Sequence, residues 1–72
     1  MKNLTGKQVC KILEKNGWNL SRINGSHHVY CKEGEEPRIV VPVHSNKAIK
    51  KGLLTAIFKT AGLLSLLITL LN

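Results

Sequence analysis

Val9, Ile12 and Leu13 fall on one face at helical spacing. Ahead of them, Thr5 is placed to cap a helix and Gln8 sits three residues on, the pattern of a capping box. Leu4 and Val9 occupy the flanking staple positions, and Asn16-Gly17 supplies a stop. The stretch from Trp18 to Asn24 has no helical stripe and runs into Gly25-Ser26, a turn signal, so it reads as a strand. His27 to Lys32 reads as a second strand, Glu33-Gly34-Glu35-Glu36 as a polar turn, and Arg38 to Val43 as a third strand rich in β-branched residues. Pro42 lacks a backbone donor and is expected at that strand's end or edge.

Ser45-Asn46 offers a cap for a second helix, whose stripe would be Ile49, Leu53, Ala56, Ile57 and Ala61, with Gly52 a weak point and Gly62 a terminator. The predicted order is α-β-β-β-α. An α+β domain with a three-stranded antiparallel sheet and both helices on one face would bury all the stripes together. Leu63 to Leu71 is apolar and uncharged, yet far shorter than the roughly 20 residues a membrane-spanning helix needs. It reads as a short C-terminal helix that completes the core. A chain of 72 residues has room for one domain, 1–72, whose small core would profit from a partner.

Charge narrows the partners. Eleven Lys and Arg face four acidic residues, all Glu, for a net charge of +7. That balance favours nucleic acid, an acidic membrane face or an acidic protein. Lys7, Lys11 and Lys15 recur every four residues on one helix face; Lys47, Lys50, Lys51 and Lys59 form a second basic set. Either set serves as a solvated face or as a ridge that contacts phosphates. Cys10 and Cys31 are too few for a disulfide scaffold and read as small buried hydrophobes. The N-terminus reads as a capped helix and not as a signal segment, so a reduced, cytoplasmic protein is expected.

His27, His28 and His44 are the acid–base candidates in a chain without Asp. The first two follow Gly25-Ser26, which puts them at a sheet rim where a phosphate can approach; His44 follows Pro42-Val43 and could bond locally to steady the loop before the second helix. Strict alternation groups His27 with Val29 and Cys31, and His28 with Tyr30 and Lys32. With the Val29 side taken as the core side, His28 is the more exposed of the pair and His27 is partly buried, unless a bulge intervenes. No metal-ligand spacing, no Gly-rich phosphate loop and no Ser-His-Asp set is present, so neither a metal nor another cofactor is expected.

Several segments together resemble the HicA mRNA interferase toxins: Thr5-Gly6-Lys7, Gly17-Trp18, Arg22-Ile23-Asn24-Gly25-Ser26-His27-His28-Val29-Tyr30, Val41-Pro42-Val43-His44-Ser45, Lys51-Gly52-Leu53-Leu54 and Ala61-Gly62-Leu63. The resemblance spans about Leu4 to Leu63. It divides the domain into a core, 1–63, and an apolar extension, 64–72, where the family usually carries polar or acidic residues. It implies a fold like a double-stranded-RNA-binding domain, ribosome-independent cleavage of mRNA and neutralisation by a HicB-type antitoxin. The His of Gly-Ser-His is catalytic in the family, which points to His27; His28, favoured by alternation, is the alternative.

An imidazole beside the 2′-hydroxyl of RNA can act as base and activate it against the adjacent phosphate. RNA contacts are expected from Lys7, Lys11, Lys15, Gly25, Ser26, Lys47, Lys50 and Lys51, with lysines and strand-edge amides stabilising the developing charge. The acid for the leaving group stays open among a Lys, His28 and water. The same fold and charge would also suit an RNA-binding module that does not cut, or an adaptor for an acidic protein.

Overall fold

The computed structural model describes residues 3–72. Its elements are α1 (Gly6–Lys15), β1 (Asn19–Asn24), β2 (His27–Cys31), β3 (Ile39–Pro42), α2 (Lys51–Ala61) and α3 (Leu64–Leu71). The fold is α+β, with the α-β-β-β-α order of a double-stranded-RNA-binding domain and one further helix. The capping box forms as read: Gln8 N donates to Thr5 Oγ1 at 3.3 Å and Thr5 N to Gln8 Oε1 at 2.9 Å. Gly17 carries the chain out of α1 at φ 90°, and Trp18 N bonds back to Leu13 O at 3.0 Å. Trp18 therefore precedes β1 and enters the core.

The sheet is antiparallel in the order β1-β2-β3. One of its faces carries the core. Tyr30, Ile39 and Val41 join Val9, Cys10 and Leu13 of α1, Leu54, Ile57 and Phe58 of α2, and Leu67 of α3 in one buried cluster. All helices thus lie on that face. Val29 is only 6% exposed but lies on the opposite face, flanked by its register partners Arg22 and Val40. The core therefore lies on the side opposite Val29, against the expectation from alternation. A central strand shields residues on both faces, so burial of Val29 does not mark the core side. A bulge between Leu20 and Arg22 sets Leu20 and Ile23 both towards the helix side, at a sheet edge that leaves them exposed.

The second helix also differs from its expectation. Ser45 takes a left-handed φ of 53° and sits in a turn closed by Lys47 N to His44 O at 2.9 Å. Ala48 then bridges to Thr5, and Ile49 N donates to Leu4 O at 2.8 Å. This pairing holds the segment extended, so α2 begins at Lys51 with Lys50 as a cap that supplies no side-chain bond. Its buried stripe is Leu54, Ile57 and Phe58, whereas Leu53 and Ala56 are exposed. Ile49 is buried from the extended segment.

α1 begins hard against the end of β3. A Cβ on Gly6 would stand 2.3 Å from Pro42 O and 2.9 Å from Val43 Cα, so only glycine permits the approach. The apolar tail forms α3, anchored by buried Leu67 with Leu63, Leu70 and Leu71 partly covered, while Ile68 is 57% exposed.

Candidate active site

β2 divides the two adjacent histidines between the faces of the sheet. His28 pairs with buried Val41 and is half-buried on the helix side, its Nδ1 4.0 Å from Cys10 Sγ. His27 pairs with Pro42 on the other side and is exposed. Alternation alone predicts the opposite exposures, because it sets the core on the Val29 side. His27 stands at the rim that Gly25-Ser26 creates, a two-residue loop between paired Asn24 and His27. Gly25 holds φ 64° there and is exposed, and Ser26 is half-buried.

The loop is tied to the end of β3. Val43 N donates to Ser26 O at 2.8 Å, which continues the ladder one bond past Pro42. His44, exposed, then reaches back so that its Nε2 lies 3.5 Å from Ser26 Oγ. It contacts the hairpin rim through its side chain, a role its own loop did not suggest. Beside it a cleft of about 250 Å³ is lined by Pro42, His44, Lys47, Lys50 and Leu53. The second basic set therefore contributes two lysines to the cleft beside His44.

A second cleft, of about 290 Å³, opens on the helix side. Lys7, Cys10, Lys11, Glu14, His28 and Tyr30 line it. The Tyr30 hydroxyl donates to Glu14 Oε2. Burial, then hydrogen bonds to Cys10 and Glu14, push the Tyr30 hydroxyl well above its ordinary range. Burial likewise raises the Cys10 thiol, so it is no ready nucleophile at neutral pH. Cys31 is only half-buried, and Arg38 Nη1 lies 3.1 Å from its Sγ, which departs from the expectation of a buried residue.

The expected RNA-contacting residues thus separate. Lys47 and Lys50 stand with His44; Lys7 and Lys11 stand with His28; Lys15 closes the last turn of α1, where a cation suits the helix dipole. Lys51 lines a third depression with Asn3, Leu54 and Leu71. The acidic turn Glu33–Glu36 follows β2, at the end of the sheet opposite Gly25-Ser26. Among the described residues, no three His, Cys, Asp or Glu side chains form a group that could hold a metal ion. No helix among them is long and apolar enough to cross a membrane.

A three-stranded sheet backed by helices, with exposed histidines at a basic rim, defines a small basic α+β domain with a candidate acid–base site. The family model for the HicA toxin of bacterial toxin–antitoxin systems matches residues 6–63, and the chain belongs to that family. The matched span ends where α3 begins. No curated protein matches the chain.

Proposed function

We propose that this toxin is an endoribonuclease that cleaves mRNA without a metal or other cofactor, with His27 as the catalytic base. The observation that carries the reading is the exposed His27 at the Gly25-Ser26 rim, in a chain of net charge +7 whose family is that of the HicA toxins. His27 takes the proton of a ribose 2′-hydroxyl, which attacks the neighbouring phosphorus. Lys47 and Lys50 neutralise the phosphate and Ser26 and Gly25 hold the rim open to the backbone. The donor set suits this route better than a metal-assisted one, given the lack of a converging ligand group among the described residues.

The partner is a HicB-type antitoxin that binds the basic rim and covers His27, in a cytoplasmic setting. A small core makes binding a source of stability as well as of inhibition, and an acidic face on the partner would match this charge. The reading is tested by incubating the purified chain with an mRNA transcript, and with DNA of the same sequence, in excess EDTA. Fragments ending in 2′,3′-cyclic phosphate and 5′-hydroxyl, with DNA intact, are expected. RNA that is bound and never cut would instead make the chain a binding module.

A further inference from the structure

We propose that His44 is the second proton-transfer group of this site, the general acid that protonates the leaving 5′-oxygen. The inference rests on the ribonuclease reading of His27 and names the group that reading lacks. In-line cleavage places the attacking and leaving oxygens on opposite sides of phosphorus. A base at one side therefore needs an acid at the other.

Of the two other imidazoles, His44 is the one that reaches the Gly25-Ser26 rim. His28 lies on the opposite face of the sheet, half-buried beside Cys10. Glu14 is on that face too and accepts from Tyr30, and the remaining Glu residues lie beyond the far end of β2. His44 is exposed and hangs from the same ladder as His27: His27 pairs with Pro42, Ser26 O accepts from Val43 N, and His44 comes next. Its Nε2 is 3.5 Å from Ser26 Oγ, the side chain directly before His27. The imidazole thus reaches the rim at Ser26. Lys47 and Lys50 share the cleft with His44 and supply charge for the phosphate.

In the step, the 2′-oxygen–phosphorus bond forms and the 2′ proton passes to His27. The phosphorus–5′-oxygen bond breaks, and the proton of the His44 imidazolium goes to that oxygen. The products are a 2′,3′-cyclic phosphate and a 5′-hydroxyl; no electrons are exchanged with a third party.

The test compares an ordinary RNA with one whose scissile 5′-oxygen is replaced by sulfur, which leaves as thiolate without needing a proton. On ordinary RNA, His44→Gln should lose about 10²–10⁴-fold in rate, the usual worth of a general acid. On the 5′-thio RNA it should come within a few-fold of the unmodified protein, whereas His27→Gln stays inactive on both. The unmodified protein should show a bell-shaped pH–rate profile on ordinary RNA and lose its alkaline limb on the thio substrate. A His44→Gln protein that is equally slow on both substrates, or fully active on ordinary RNA, overturns the assignment. An unmodified protein that cuts neither substrate removes the ribonuclease reading, and this assignment with it.

Discussion

His27 and His28 are covalent neighbours with opposite surroundings. The exposed one stands at the Gly25-Ser26 rim, and the half-buried one packs beside Cys10, Tyr30 and Glu14. That second group is a stability element more than a reactive one. The Tyr30 hydroxyl, buried and hydrogen-bonded, holds its proton more tightly folded than unfolded. Above about pH 10, where an unfolded tyrosine ionises, the unfolded chain binds fewer protons than the folded one. Stability then falls as pH rises, while the contribution is fully present below that range. We expect Tyr30→Phe to be less alkali-sensitive than the unmodified chain between about pH 9 and 11. Urea melts at several pH values check this, and parallel curves for the two proteins would contradict it.

At the scale of elements, the site depends on how α1 meets β3. Gly6→Ala drives a methyl group into Pro42 O, so the helix must move off the strand end that leads to His44. A loss of about 1–3 kcal/mol is expected, together with slower RNA cleavage; denaturant melts and rates read the two effects. α3 contributes through Leu67. Removing Leu67 from the core is worth about 2–5 kcal/mol, so deleting residues 64–72 should lower Tm by on the order of 10 °C in a domain of this size. The mass in solution should stay monomeric. An unchanged Tm with loss of a dimer would make α3 an oligomerisation element.

These elements also mark where sequence reading succeeds and fails. The capping box of α1 and the Gly25-Ser26 turn are spelled by residues within a few positions of each other, and both form. The start of α2 is not local: the pairing of Ala48 with Thr5 and of Ile49 with Leu4 overrides the cap that Ser45-Asn46 offers. The core face of β2 was equally hidden, because Val29 and Tyr30 are both apolar neighbours on a central strand. His27 at the rim is legible as a candidate from the Gly-Ser-His-His run. The place of His44 is not, since it depends on a contact across 18 positions.

At the scale of the whole molecule, the charge is divided between two clefts, one beside His44 and one beside His28. Lys47 and Lys50 share a cleft with His44. If both contact phosphates of single-stranded RNA, replacing them with Ala should flatten the log–log salt dependence of binding by about 1.4, at ~0.7 per contact. Replacing Lys7, Lys11 and Lys15 together should change it less, because Lys7 and Lys11 line the other cleft. A larger effect from the α1 triple variant would move the RNA to the His28 side.

The choice between those sides bears directly on the central claim, that His27 carries RNA cleavage. The decisive measurement is the single-turnover cleavage rate of one RNA in excess EDTA by the unmodified protein, His27→Ala and His28→Ala, each shown folded by circular dichroism. The account predicts that His27→Ala loses about 10²-fold or more, and that His28→Ala keeps its rate with a lower melting temperature. A fully active His27→Ala protein beside an inactive His28→Ala protein would contradict it.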